Sequence, residues 1–285
     1  MEDKAKYIEF TKMHGAGNDY IYLDCTESVP GNLSDLSKRM SDVHFGVGSD
    51  GLVAIMKSDI ADFRMRMFNS DGSEAEMCGN ATRCVAKYVF ERGLTDKKVV
   101  SLETLAGIKI LHLHVEDAEV VSVTVDMGEP RLVPAEVPVV SKSSDRMVAE
   151  RVAVGDKDYL VTAVSMGNPH GVIFVDEITD DLVLGEGPRL EVADIFPRKA
   201  NIEFAKVIDR DRIRMRVWER GTGETFACGT GACATAVAAV LNDLTDREVD
   251  LELRGGTLHI KWDEATGHVF MTGPATFVCD GRFYL

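Results

Sequence analysis

Arg214 to Ala236 reads RMRVWERGTGETFACGTGACATA, and Arg64 to Ala86 reads RMRMFNSDGSEAEMCGNATRCVA. Laid over each other residue for residue, Arg64, Met65, Arg66, Glu74, Cys78, Gly79 and Ala86 recur as Arg214, Met215, Arg216, Glu224, Cys228, Gly229 and Ala236. The same offset carries Gly17 and Asn18, in MHGAGND, onto Gly167 and Asn168, in SMGNPHG. A repeat at fixed spacing marks a duplicated structural unit. Two similar halves are therefore expected, each with one Cys-Gly in the same place.

Around each copy the chain alternates short strands with few helices. In the first half, Lys6 to Met13 and Asp19 to Asp24 read as strands about a glycine turn. Leu33, Leu36 and Met40 mark a helix within Asn32 to Asp42, and strands follow at Leu52 to Met56 and Asp62 to Phe68. Asn69 to Ser73 is a polar turn, and a helix runs from Gly79 to about Arg92, where Gly93 stops it. Val99 to Glu103, Ile108 to Val115 and Val120 to Asp126 alternate as antiparallel strands. The proline-bearing stretch Met127 to Met147 suits a connection between domains. The second half repeats the plan, with a helix within Asp180 to Phe196 and a motif helix, Gly229 to Leu241, apolar on every side and so buried. The expectation is an α/β (α+β) fold of two pseudo-symmetric domains, 1–127 and 128–275, each a mostly antiparallel sheet or barrel around a central helix. No alternation long enough for a parallel Rossmann sheet is visible.

A chain of 285 residues, 45% of them hydrophobic, can give each half a core. The net charge of -15 leaves no basic surface for nucleic acid or anionic membrane, which points to a small-molecule substrate. The first residues, MEDKAKYIEF, have no apolar leader, and the longest apolar run is too short to span a bilayer, so a cytoplasmic protein is expected. Six cysteines without a C-x-x-C spacing read as free thiols, with no metal site implied.

The chemistry rests on Cys78 and Cys228, each where a turn enters a helix. Backbone N–H groups and the positive end of the helix dipole gather there, lowering a thiol's pKa and holding a carboxylate. Inverting a carbon centre requires a base on one face and an acid on the other, and a thiolate opposite a thiol is such a pair. Gly79, Asn80, Gly229 and Thr230 would offer N–H donors to the carboxylate into which the carbanion's charge spreads. The alternative for each cysteine is a packed or capping residue, as assigned to Cys25, Cys84, Cys233 and Cys279. His112 and His114 share a strand face that a metal could use, although a solvated strand explains them too. Glu219-Arg220 reads equally as a strand-end ion pair.

At MHGAGNDY, HFGVGSDG, FNSDGSEAEMCGNATRC, MGNPHG, NIEF and ERGTGETFACGTGACA the chain resembles the diaminopimelate epimerase family, over essentially its whole length. That resemblance implies an isomerase of lysine biosynthesis that interconverts LL- and meso-diaminopimelate without PLP, metal or other cofactor. It implies Cys78 and Cys228 as the acid/base pair, His170 and Glu219 as groups that tune the thiols, and Asn18, Asn69, Gly79, Asn80, Asn168, Asn201, Glu219, Arg220, Gly229 and Thr230 as substrate contacts. It also returns 276–285 to the first half and suggests a homodimer. Three positions depart from the family's pattern: Ala81 for glycine, Gly51 for the glutamine of some relatives, and Cys279 for a tyrosine of the dimer contact. Racemisation of another amino acid, such as hydroxyproline, fits the same scaffold, and a thiol redox or metal-binding protein is the reading from another class.

Overall fold

The computed structural model describes residues 7–285, so Lys6, expected to open the first strand, lies outside the described residues. The described chain forms two compact units. The first runs to Val125 and resumes at Gly273–Leu285; the second is Asp126–Thr272.

The first unit contains, in chain order, β1 (Tyr7–Gly15), β2 (Asn18–Asp24), α1 (Leu33–Ser41), β3 (Gly51–Met56), β4 (Phe63–Asn69), β5 (Glu74–Ala75), α2 (Gly79–Glu91), β6 (Val99–Thr104), β7 (Gly107–Glu116) and β8 (Glu119–Asp126). The second contains β9 (Glu150–Val154), β10 (Lys157–Ser165), β11 (Pro169–Phe174), a π-helical turn (Asp181–Glu186), α3 (Gly187–Glu191), β12 (Asn201–Asp209), β13 (Arg212–Glu219), β14 (Gly223–Glu224), α4 (Gly229–Leu241), β15 (Glu248–Leu253), β16 (Gly256–Trp262) and β17 (Val269–Gly273). The last strand, β18 (Thr276–Tyr284), lies antiparallel along β1.

Neighbouring strands in the first unit follow the order β18, β1, β2, β3, β4, β6, β7, β8. All joints are antiparallel except β2–β3 and β4–β6. In the second unit the order β9, β10, β11, β12, β13, β15, β16, β17 has its parallel joints at the equivalent places, β11–β12 and β13–β15. The registers match as well. Tyr20 opposes Gly51 and Phe68 opposes Glu74; at the same offset His170 opposes Asn201 and Trp218 opposes Glu224.

A parallel joint needs a crossover, and in each unit a helix supplies it. α2 links β4 to β6 and packs on β1, β2 and β7, strands that lie well apart in the sheet order, so the sheet curls about the helix. α4 is held in the same way by β10, β11, β12, β15 and β16, with ten of its residues buried. Its alanines let strand backbones approach closely at little cost in side-chain entropy.

The repeated charged residues brace the entry to each helix. Arg66 Nε donates to Glu74 Oε1 at 2.7 Å and Nη2 to Oε2 at 2.9 Å, clamping β5 onto β4. Arg216 makes the equivalent pair with Glu224, at 2.7 and 3.1 Å. Such bidentate forks fix geometry as well as charge.

Several expectations change. Ahead of each Cys-Gly pair lies a two-residue strand that the sequence reading did not assign, β5 just after the polar turn Asn69 to Ser73 and β14 at the equivalent place. Met127 to Met147 is more than a connection, because Val137, Val139 and Met147 are buried in the second unit's core. The helix within Asp180 to Phe196 is a π-helical turn followed by five residues of α-helix. Among the described residues no helix is long and apolar enough to cross a membrane.

Ala81 is a buried residue of α2 with an ordinary backbone. A side chain at Gly51 would put its Cβ 2.1 Å from the Phe68 carbonyl oxygen, so close strand packing requires glycine there.

Burial pushes the Cys84 thiol up to about 11. A group raised in the folded state contributes stability that is whole below the unfolded thiol range and is lost as pH rises through the folded value. Chemical denaturation midpoints are therefore expected to fall between about pH 9 and 11, at up to about 1.4 kcal/mol per pH unit for this group. Cys84→Ala should flatten that slope, and an unchanged slope would contradict the assignment.

Candidate active site

Both cysteines that the repeat singles out stand immediately before a motif helix, in extended backbone. Cys78 has φ −137° and ψ 122°, and Cys228 has φ −114° and ψ 108°. Each sulfur is thus the last side chain before a row of helical N–H groups. Gly79 and Asn80, and Gly229 and Thr230, open the two helices.

In the first unit Asn18 joins β2 to α2. Cys78 Sγ donates to Asn18 Oδ1 at 3.3 Å, and Asn80 Nδ2 donates to the same oxygen at 3.4 Å. The other end of the amide, Asn18 Nδ2, donates to Asp50 Oδ2 at 2.6 Å. Asn80 is held in turn by the fully buried Arg83, whose Nη2 donates to Asn80 Oδ1 at 2.8 Å. Arg83 also donates to the carbonyls of Gly79 and Pro274, each at 3.2 Å. Gly15 allows this approach, since a Cβ there would stand 2.9 Å from the Asn80 carbonyl oxygen. Asn69 closes the turn ahead of α2 by donating to Ser73 Oγ at 3.0 Å.

In the second unit the sulfur of Cys228 accepts from the Gly231 N–H at 3.4 Å and lies 3.4 Å from Thr230 Oγ1. Asn168 Nδ2 donates to that Thr230 oxygen at 3.3 Å, while Asn168 Oδ1 lies 3.0 Å from His170 Nε2. His170 Nδ1 meets Glu203 Oε1 at 2.7 Å, and neither side chain reaches solvent. At the end of β13, Thr225 Oγ1 donates to Glu219 Oε1, and the Glu219 carboxyl is near enough to Cys228 for the two to shift each other's ionisation. Burial, followed by the charges of Glu219 and Glu203, pushes the Cys228 thiol well above its ordinary value, against the smaller pull of Thr230 and Gly231. Burial likewise raises Glu219. The two groups act in the same sense, since each charge raises the cost of ionising the other.

The remaining expected contacts form a neighbouring group. Asn201 Oδ1 accepts from the Arg220 N–H at 2.9 Å, and Asn201 Nδ2 donates to the Pro169 carbonyl at 3.2 Å. The Arg220 guanidinium donates to the Arg198 carbonyl at 3.1 Å, so it turns away from Glu219 rather than pairing with it. Sequence reasoning missed Asp50, Arg83 and Glu203. For the last two a signal existed: each is a charged residue inside an apolar run, at Thr82-Arg83-Cys84-Val85 and Ile202-Glu203-Phe204. Cys84 and Cys233 are buried within α2 and α4, and Cys279 is exposed on β18. His112 and His114 are exposed on β7, and among the described residues no three His, Cys, Asp or Glu side chains are grouped as a metal site.

The chain matches the family model described as diaminopimelate epimerase over residues 10–133 and 162–278. A diaminopimelate epimerase of Acetivibrio thermocellus is 55% identical over 277 residues, 96% of this chain and 98% of the relative. Those of Desulfovibrio desulfuricans (55% over 284 residues, 98% of this chain and 99% of the relative) and Methanococcus maripaludis (52% over 275 residues, 96% and 99%) are similar. Among solved structures, a hydroxyproline epimerase of Agrobacterium vitis superposes with a TM-score of 0.70 at 15% identity, covering 100% of this chain and 94% of that one. A Bacillus anthracis protein of the PhzF family gives 0.68 at 18%, covering 98% and 100%. These two likenesses bear on the fold alone.

Replacing Glu219 by a neutral isostere removes the second-largest cause raising Cys228. Glu219→Gln is expected to bring the Cys228 ionisation down toward the ordinary thiol range. Thiolate ultraviolet absorbance, taken as the difference from a Cys228→Ser variant, measures it, and a midpoint that stays put or rises would refute the coupling.

Proposed function

This chain belongs to the diaminopimelate epimerase family, and from that premise we propose that Cys78 and Cys228 are the two catalytic groups through which it inverts the α-carbon. The protein is an isomerase that epimerises diaminopimelate. In the proposed reaction, which converts the LL to the meso isomer, one sulfur as thiolate removes the α-proton. The electron pair left behind spreads into the adjoining carboxylate. The other sulfur, as thiol, then delivers a proton to the opposite face, and in the reverse direction the roles exchange.

The observation that carries the reading is the placement of both cysteines at helix starts in a duplicated fold, each tied to the equivalent asparagine, directly through Asn18 and by way of Thr230 through Asn168. N–H groups of Gly79, Asn80, Gly229 and Thr230 are the proposed donors to the substrate carboxylate, where negative charge grows in the transition state. Asn69, Asn201 and Arg220 complete the proposed contacts with the amino-carboxylate ends. Glu219 and His170 tune the sulfur chemistry. A thiolate held above its ordinary pKa is a stronger base toward a carbon acid, and Glu219 is the nearby group that can take up the displaced thiol proton. The reading includes chemistry without PLP or metal, a cytoplasmic location and a homodimer.

Incubation of LL-diaminopimelate with the protein in D2O, without added PLP, is expected to give meso product carrying α-deuterium. Absence of both exchange and product would remove the reading. Cys78→Ser and Cys228→Ser should each lower kcat by about 10²-fold or more, because a serine hydroxyl is too weak an acid for either role. Either variant retaining full inversion would exclude that cysteine.

A further inference from the structure

The two asparagines that attend the cysteines are equivalent in sequence and opposite in orientation. Asn18 turns its amide oxygen to Cys78 and its amide nitrogen to Asp50. Asn168 turns its nitrogen to Thr230, which touches Cys228, and its oxygen to His170. An arginine can only donate hydrogen bonds and a carboxylate readily accepts them, so a buried charge at the far end of such a chain dictates the sense of every amide along it. In the first unit the anchor is Arg83. It fixes Asn80 with its oxygen inward, and Asn80 Nδ2 then demands the oxygen of Asn18. The second unit has Cys233 at the position equivalent to Arg83, and its anchor stands elsewhere.

We propose that Glu203 is a positioning residue for catalysis: through His170 it holds Asn168 with its amide nitrogen toward Thr230 and Cys228, the reverse of the sense Arg83 imposes at Cys78. Its Oε1 meets His170 Nδ1 at 2.7 Å. In the proposed arrangement both ring nitrogens carry protons, an imidazolium facing the carboxylate, so that Nδ1–H donates to Glu203 and Nε2–H donates to Asn168 Oδ1, 3.0 Å away. With Thr230 Oγ1 accepting from Asn168, the proposal directs the threonine O–H to the Cys228 sulfur, 3.4 Å away. One sulfur thus receives a hydrogen bond from its asparagine chain and the other gives one.

Three further observations make Glu203 a built feature. It is wholly buried, and among the described residues its Oε2 has no hydrogen-bond partner, a costly arrangement to keep without a use. The first turn of α4 is shaped around it, since a Cβ at Gly231 would stand 2.7 Å from Glu203 Oε1. At the equivalent positions of the first unit the trio His170, Glu203 and Gly231 is Tyr20, Val53 and Ala81, so carboxylate, imidazole and glycine occur together in one copy and are absent together from the other.

The inference rests on the two-cysteine reading for its kinetic arm and stands apart from it in its spectroscopic arm. In the substrate-free protein, the downfield proton resonance of the His170 ring N–H is expected in the parent and in Glu203→Asp, and is expected to vanish in Glu203→Gln and in His170→Gln. Its persistence in Glu203→Gln overturns the proposal whether or not the protein epimerises diaminopimelate. Glu203→Gln should lower kcat by about tenfold to a hundredfold, with KM changed by less than about threefold. In a double-mutant cycle Glu203→Gln should add little once His170→Gln is present. Multiplicative losses, or a Glu203→Gln kcat within about twofold of the parent, overturn it as well. Glu203→Asp keeps the carboxylate and should recover part of kcat at an unchanged melting temperature, an outcome that general loss of fold would not give.

Discussion

A sulfur at the entrance to a buried helix has little freedom, and the rest of each unit follows from holding it there. The helix bridges two parallel strands, so its first turn must lie at one end of that parallel pair. The residue before the first turn must be extended, and the chain must reach it from the preceding strand. That is why the bidentate clamps Arg66–Glu74 and Arg216–Glu224 belong to the repeat as firmly as the cysteines do. They fix the hairpin that delivers each sulfur, while the apolar bodies of α2 and α4 fix the helix axis. On the proposed reading the chemistry falls to one atom at the tip, and the geometry to everything behind it.

Duplication alone would give two identical sulfur environments, and the chain departs from identity at buried charges. Burying an arginine is tolerable where carbonyl and amide oxygens surround it, as Asn80, Gly79 and Pro274 surround Arg83. Burying Glu203 is tolerable because His170 meets it directly. Glu219 adds a second carboxyl near Cys228, and its equivalent in the first unit is the neutral Asn69, engaged with Ser73. The two thiols therefore sit in unlike fields although their backbones match. A reversible inversion can use this difference, because base and acid must be distinct in any one turnover and exchangeable between directions.

The repeat and hydrophobic periodicity made much of this legible. The starts of α2 and α4, the alternating strands and the pairing of Asn18 with Asn168 all lie in runs where one offset or one period governs many residues. What escaped depends on partners distant in sequence. Alternation shows which side of a strand is buried and says nothing of neighbour direction, so the parallel joints β2–β3 and β11–β12 were invisible. β5 and β14 are two residues long, too short for any period. In the site, Cys78 and Cys228 stood out by residue type and place, and His170 through the resemblance. Asp50 lay in an unremarkable glycine-rich turn, and Arg83 and Glu203 were hidden inside helix and strand patterns that their neighbours explained without them. Asn201 and Arg220 were found by resemblance to motifs, and their mutual backbone contact could not be read from sequence.

The joint presence of the buried trio in one unit and its joint absence from the other bear on how such an asymmetry is held. Placing Glu203 without His170 would leave an unpaired carboxylate in the core, a change that costs about 3–5 kcal/mol. Adding a Cβ at Gly231 would press on both that carboxylate and the Cys228 sulfur, at 2.7 and 3.3 Å. Conversely, His170 without Glu203 would have a ring nitrogen facing apolar strand residues, with its tautomer unfixed. Each member is tolerated because the other two are present, so replacing any one of them alone by its first-unit counterpart is expected to destabilise the core. Glycine within a helix weakens it relative to alanine, by about 0.5–1 kcal/mol at mid-helix positions. In α4 that loss is the condition for admitting a carboxylate beside the sulfur, which ties the local stability of the helix start to the electrostatics of Cys228.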